Sequence, residues 1–379
     1  MAEENDDRNV LDDLVKGTTG VVDPQALDQL FTQVDELKES EKSLEGKAAA
    51  PKAFGLDIGT SRIVSITQDG LHGQESLDQL NAFIVVSETK FLKDMLVKNR
   101  MAHTRIRDEI AVLGYDAQQF ANIFNSEIRR PMKKGLITPE ETYAIPVMKE
   151  IINLVLPRPE EAAQPLCFSI PAPEAGFEAD LVYHEGVLKK HLVGLGFKAK
   201  SITEGLAVVL AELAEDNFTG IGISMGAGMC NVCFSFLSVP VMVFSLSRGG
   251  DSIDAAVARV MHETVNRVRV IKEESLDFKV TPKSNLENAL VIYYEDLITA
   301  LLNKLAGQLS RTEKLPRLNQ AIPIVLAGGT CLPNGFKVKF EQLLRRVSLP
   351  LEISSVRLAA DPLRATARGA LVSASVPER

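Results

Sequence analysis

Apolar positions in this chain fall into two alternating patterns, short continuous runs and stretches with helical spacing, which predicts strands interleaved with helices. Phe54 to Ile66 reads as two strand runs joined by Gly55-Leu56-Asp57-Ile58-Gly59-Thr60-Ser61, with Ile63 and Ile66 in the returning strand. A second hairpin of the same character spans Thr219 to Phe236. There Gly220-Ile221-Gly222-Ile223-Ser224 leads into Gly226-Ala227-Gly228 and out through Val232, Phe234 and Phe236. Two such units, each followed by helices, predict a duplicated α/β protein.

The pattern places helices over Pro139 to Leu156 and Glu178 to Leu195, with strands at Leu166 to Ile170 and Ala199 to Ile202 feeding a helix that starts at Glu204. Val241 to Leu246 is a strand and Ile253 to Glu274 one long helix. Ser284 and Glu287 form a capping box opening a helix that reaches Ser310. Ile322 to Leu326 is a buried strand running into Ala327-Gly328-Gly329-Thr330, a helix follows from Gly335, and Pro362 to Ser373 closes the chain.

Residues 1–52 differ in composition, rich in Asp, Glu, Ser and Ala and ending in Gly46-Lys47-Ala48-Ala49-Ala50-Pro51, the composition of a linker. One short amphipathic helix is expected within them. Asp23 serves as N-cap, Pro24 takes the first helical position, and Leu27, Leu30, Phe31, Val34 and Leu37 share a face. Two roles fit that stripe equally: docking on the protein's own body, or binding a neighbouring subunit or partner.

With 379 residues and 45% apolar content, the chain has material for two cores. Its net charge of -8 sits mostly in residues 1–52, which hold 13 acids and 6 bases. The near-neutral body lacks the basic face that nucleic-acid binding needs. No apolar run is long enough to span a bilayer, no signal peptide pattern is present, and the acidic polar face of the tail helix is a poor membrane anchor, so the expectation is a cytoplasmic protein.

Four cysteines, Cys167, Cys230, Cys233 and Cys331, make no disulfide framework. Cys230 and Cys233 have C-x-x-C spacing, but three residues apart on a strand they face opposite sides, which argues against zinc. The five histidines are scattered without ligand spacing. Phe336, Phe340, Leu343 and Leu344 read as the core face of a helix. Arg100, Arg105, Arg107 and the Arg129 to Lys134 stretch fit a contact surface or a solvated face.

The two Gly-rich hairpins carry the chemistry. A triphosphate needs backbone N–H donors that approach without Cβ obstruction, and paired turns supply them from opposite sides. Asp57, at the mouth of the first, would hold Mg²⁺ through water, while Thr60 and Ser61 donate to phosphate oxygens. There is no G-x-x-x-x-G-K-[ST] P-loop, and Gly226 and Gly228 are followed by Met229, Cys230 and Asn231 rather than a third glycine, which disfavours Walker and Rossmann folds.

In order, these motifs resemble those of the actin, heat-shock chaperone and sugar-kinase superfamily, and within it the bacterial actins of the MreB and MamK type. Gly55 to Ser61 is similar to the first phosphate motif, and Arg130-Pro131-Met132-Lys133-Lys134-Gly135-Leu136-Ile137 to the segment entering the first domain's helices. Ile202-Thr203-Glu204-Gly205-Leu206-Ala207 resembles the first connecting helix, and Arg248-Gly249-Gly250-Asp251-Ser252-Ile253-Asp254 the turn before the second domain's long helix. Val325-Leu326-Ala327-Gly328-Gly329-Thr330 resembles the adenosine motif, and Asp361-Pro362-Leu363-Arg364-Ala365-Thr366-Ala367-Arg368-Gly369-Ala370 the second connecting helix. The resemblance covers residues 53–375.

What it implies is an actin-like (ribonuclease H-like) duplicated two-domain α/β fold with a central nucleotide cleft. Domain I would comprise residues 53–202 plus 358–379 and domain II residues 203–357. ATP and Mg²⁺ would sit between them, and the chain would self-associate into nucleotide-dependent filaments, with the acidic tail free for a partner protein. Asp57, Gly59, Thr60 and Ser61 would meet phosphate and metal, and Ser224, Gly226, Ala227 and Gly228 would grip the phosphates from the other lobe. Gly250, Gly328, Gly329 and Thr330 would line the nucleoside, and Glu204 would position the attacking water. Lys272 and Glu273 would lie near the nucleoside, at a shorter spacing from Gly250 than in MreB.

One departure stands out. The family's second phosphate motif begins with Asp, and here that place is Ser224. Losing the carboxylate removes an indirect holder of Mg²⁺ and of the lytic water, and groups of this kind are worth about 10²-fold or more in rate. The expectation is a weak ATPase at most. Two other functions compete with a filament: a non-polymerising actin-fold adaptor like FtsA or PilM, and a small-molecule kinase, which the Asp-to-Ser change argues against.

Overall fold

The computed structural model of the chain describes residues 32–39, 52–69, 73–124, 127–312, 315–316, 318 and 320–376. In chain order its elements begin with β1 (Phe54–Ile58), β2 (Arg62–Asp69), β3 (Gly73–Leu80), β4 (Phe83–Ser87), α1 (Lys90–Lys98), β5 (His103–Ile106), β6 (Glu109–Leu113) and α2 (Gly114–Phe124). They continue with β7 (Met132–Lys133), β8 (Leu136–Ile137), α3 (Ala144–Val155), β9 (Gln164–Ile170), α4 (Glu178–Gly194), β10 (Phe197–Thr203), α5 (Glu204–Glu212), β11 (Gly220–Met225), β12 (Cys230–Phe236) and β13 (Val239–Leu246). The remainder are α6 (Gly250–Met261), α7 (Val265–Glu274), α8 (Asn285–Arg311), β14 (Ile322–Ala327), α9 (Phe336–Leu344), β15 (Ile353–Leu358) and α10 (Ala365–Ser375).

Both expected hairpins form, and the duplication is visible in sheet topology. One five-stranded sheet has the order β10-β9-β1-β2-β3 and the other β15-β14-β11-β12-β13. In each, a three-strand antiparallel meander (β1-β2-β3, β11-β12-β13) carries two parallel strands added beside its first strand.

Between the sheets lie α5 and α10, the two connecting helices. They pack closely because Gly369 has no side chain: a Cβ there would overlap the carbonyl of Ala207. Around them is a core of small and branched aliphatic residues, including Ala207, Val208, Ala367, Ala370 and Leu371. Separate cores fill the outer side of each sheet, around Phe168, Ile151 and Leu188 in one and Phe234, Leu297 and Phe340 in the other.

Three expectations change. The long helix over 253–274 is two helices, because His262 adopts the left-handed conformation (φ 55°) and ends α6, after which Thr264 caps α7 by accepting from Arg267 N. The helix expected from Pro139 starts only at Ala144. Residues 83–124, to which the apolar pattern assigns nothing, fold as a three-stranded sheet β4-β6-β5 with α1 and α2, around Ile84, Leu96, Val112 and Phe120. Half of the capping box at Ser284 forms, with Ser284 Oγ accepting from Glu287 N at 3.1 Å, while Glu287 Oε2 accepts from Lys283 N at 2.6 Å and not from Ser284 N.

Residues 32–39 are helical, and Val34 and Leu37, each 4% exposed, join the core between the sheets. Lys38 donates to the side chain of Asn217, in the turn between α5 and β11. That half of the apolar stripe docks on the protein's own body; Leu27, Leu30 and Phe31 lie outside the described residues. No helix among the described residues is long and apolar enough to cross a membrane.

Candidate functional site

Each hairpin places its glycines at a tip because the strands on either side are pinned by regular pairing, Ile58 with Ile63 in one and Met225 with Cys230 in the other. Gly59 N donates to Arg62 O and Gly226 N to Met229 O, both at 2.9 Å, closing the two turns. The tips touch. Gly135 N donates to Thr60 Oγ1 at 3.0 Å, and a Cβ on Gly228 would overlap both groups. Only glycine lets the second tip come this close to the first.

Beside this contact is a cavity of about 490 Å³. Its wall contains all fifteen residues expected from the sequence: Asp57, Gly59, Thr60, Ser61, Glu204, Ser224, Gly226, Ala227, Gly228, Gly250, Lys272, Glu273, Gly328, Gly329 and Thr330. The backbone N–H groups of Thr60, Ser61, Ala227 and Gly228 donate to nothing else among the described residues. Four unpaired donors on two facing glycine turns suit an anionic phosphate chain.

The carboxylates at the cavity floor are desolvated. Asp57 Oδ1 accepts from Ser169 Oγ at 2.7 Å, and Ser169 in turn accepts from Ile58 N at 3.0 Å. Burial raises the Asp57 carboxyl above the ordinary range, and the Ser169 bond opposes that. Glu204, at the first turn of α5 and 9% exposed, is raised by burial first and by the charge of Asp57 second. Ser224 Oγ donates to Glu204 Oε2 at 2.8 Å and pulls the other way. Two desolvated acids that repel each other fit a bound cation, which would stabilise both as carboxylates.

On the opposite wall, Gly226 O and Ala227 O accept from Gly250 N (3.1 Å) and Asp251 N (2.9 Å), so the second hairpin caps α6. Thr330 Oγ1 donates to Gly226 O at 2.8 Å. Gly328 has φ +92° and no room for a side chain against the Met225 carbonyl. Lys272 is buried and donates to Asp254 Oδ2 at 2.7 Å. Burial raises Asp254, with Lys272 and Arg269 opposing.

Sequence reasoning missed the charges that cross the cleft. Arg130 Nη1 donates to both carboxylate oxygens of Asp251, at 2.9 and 2.8 Å, and Arg269 lies 3.7 Å from Asp251 and 3.6 Å from Asp254. Arg130 and Asp251 both stand in motifs singled out above, but a motif does not say which side chains pair. Arg129, grouped there with a surface cluster, instead pairs with Glu141 and stacks on Phe83 and Tyr143. Leu276, Tyr294, Leu332 and Leu363 add an apolar portion of the wall suited to a base.

Comparison with known proteins places this geometry. A family model described as Volactin matches residues 52–374. The structure of a MamK double helical filament is 18% identical with a TM-score of 0.64, covering 86% of this chain and 99% of that one. MreB 5 of Spiroplasma citri bound to AMPPNP is 14% identical with a TM-score of 0.58, covering 85% and 95%. The ethanolamine utilization protein EutJ from Carboxydothermus hydrogenoformans is 16% identical with a TM-score of 0.52, covering 89% and 99%. No curated protein matches the chain. The fold is that of these actin-like proteins.

Proposed function

The chain belongs to the Volactin family, and from that premise we propose that it is an actin-like cytoskeletal protein that binds ATP with Mg²⁺ in the cleft and assembles into nucleotide-dependent filaments. The observation that carries the reading is the contact of Gly228 with Thr60, which sets two glycine turns with unpaired N–H donors against one cavity. The AMPPNP of the MreB 5 structure and the filament of the MamK structure support it by analogy of fold.

In this reading residues 53–202 with 358–379 form one domain and residues 203–357 the other. The N–H groups of Thr60, Ser61, Ala227 and Gly228 hold the phosphates, and Gly250, Lys272, Glu273, Gly328, Gly329 and Thr330 surround the nucleoside. Asp57 would hold Mg²⁺, which when bound would neutralise phosphate charge. Glu204 orients the attacking water. With Ser224 in place of a carboxylate, one oxygen of Glu204 is occupied by a hydrogen bond and no further acid assists, so hydrolysis is slow. High-speed sedimentation with ATP and Mg²⁺, against nucleotide-free protein, tests assembly: pelleting only with nucleotide is expected, and equal supernatants would refute it.

A further inference from the structure

Behind the first glycine turn stands a side chain that the sequence does not announce. Asn81 lies in the bend between β3 and β4, is 0% exposed and takes no part in the cavity wall. Its Nδ2 donates to Gly59 O and its backbone N–H to Ser61 O, both at 2.9 Å. One buried residue thus grips two carbonyls of the turn from outside the cavity. Its own neighbours keep it in register: Ala82 O accepts from Gly114 N at 2.8 Å, and Phe83 exchanges both backbone bonds with Arg129, at 2.9 and 2.8 Å.

Neither the backbone nor the core calls for asparagine here. The backbone of Asn81 is not left-handed, the conformation in which asparagine is favoured. Its Oδ1 is buried without a partner among the described residues, a cost that an apolar residue would avoid. What the side chain contributes is its donor to Gly59 O.

That donor reaches the cavity through one peptide unit. In a trans peptide the C=O and the N–H that follows it point in opposite directions. Gly59 O points at Asn81, so Thr60 N–H points away from it, and this N–H is one of the four unpaired donors on the two turns. Glycine lets such a peptide flip at little cost, which would turn a carbonyl oxygen toward an anion in place of a donor. The bond from Asn81 opposes the flip.

We propose that Asn81 is the positioning residue of the first phosphate turn: by holding Gly59 O it keeps Thr60 N–H aimed at the phosphates of the nucleotide. The inference rests on the nucleotide reading of the cleft and adds to it the residue that fixes one of the two turns.

Two substitutions in the full chain test this. Asn81→Leu removes the donor at similar volume, and Asn81→Asp puts a carboxyl of the same shape in its place. Ionised, that carboxyl has no proton to give Gly59 O; protonated, it donates as the amide does. In calorimetric titration with ATP and Mg²⁺, Asn81→Leu should bind about tenfold more weakly than the natural protein at each pH. Comparison at the same pH removes the titration of Asp57 and Glu204, which both proteins share. Asn81→Asp should approach the natural affinity as pH falls from about 8 to about 6, because burial lifts a carboxyl into that range. Hydrogen exchange gives a second reading: protection by ATP should fall at residues 59–62 and hold at residues 226–228, a split that general loosening does not produce. Unchanged affinity in Asn81→Leu, equal loss at both turns, or an Asn81→Asp chain no tighter than Asn81→Leu at about pH 6 overturns the role of Asn81 and leaves the nucleotide reading standing. A variant that no longer melts cooperatively overturns it too, since Asn81 would then hold the fold itself. A natural protein that takes up no ATP overturns the nucleotide reading, and this role with it.

Discussion

Ser224 Oγ lies 2.8 Å from Glu204 Oε2, so Glu204 meets a hydroxyl and not a further acid at the cavity floor. A third acid on the desolvated floor beside Asp57 and Glu204 would repel both strongly. The serine exchanges that repulsion for a donor, and gives up an acid that would help place water.

Ser224→Asp therefore separates two effects. Nucleotide-free protein should lose stability, by about 1–3 kcal/mol for an added buried charge, while hydrolysis with Mg²⁺ present rises about tenfold or more. Thermal melts and phosphate release measure the two, and unchanged turnover would overturn the proposed role of Ser224 in limiting hydrolysis.

Glu204 sets a pH dependence. Its folded pKa is raised, by burial and then by Asp57, so the folded state holds a proton that the unfolded chain releases. The associated stability is present at low pH and is lost as pH rises from the ordinary carboxylate range through the raised value. Melting temperature without nucleotide should fall across that window, and Glu204→Gln should flatten the fall. Bound Mg²⁺ favours the charged form, so binding should release protons, read as a buffer-dependent heat.

Among the described residues two ion pairs tie the two halves together: Arg130 with Asp251, and Glu174 with Lys304 at 2.8 Å. Glu174 follows β9, and Lys304 belongs to α8 of the other half. Asp251→Asn combined with Lys304→Met should open the nucleotide-free cleft, seen as a larger radius of gyration in X-ray scattering. Each pair is partly exposed, so about 1 kcal/mol apiece is at stake. Identical scattering would mean the core between the sheets alone sets closure.

Leu37 is buried though it stands in the acidic N-terminal segment. Leu37→Ala should cost about 2 kcal/mol or more and lower the melting temperature by several degrees. No change would mean that residues 32–39 contribute nothing to the body.

How much of this was legible beforehand follows from the kind of signal each element carries. Glycines at a tip, with an acid before them and β-branched residues behind, report a local geometry, so Asp57, Gly59 and Gly228 could be placed from sequence. The break at His262 could not, because a left-handed residue other than glycine has no compositional mark. The sheet of β4, β5 and β6 was invisible for a related reason. Its strands are short, and on β5 none of the residues is fully buried, so alternation has little to show. The pairing of Arg130 with Asp251 joins residues 121 apart, and only the folded chain brings them together.

The central claim is that facing glycine turns hold a nucleotide. Calorimetric titration of the protein with ATP and Mg²⁺, beside the Gly228→Val variant, tests it most directly. One site per chain is expected in the natural protein. The variant, whose side chain would overlap Thr60 and drive the tips apart, should bind about 10²-fold more weakly while keeping its circular dichroism. No heat of binding in the natural protein, or equal affinity in the variant, would contradict the account.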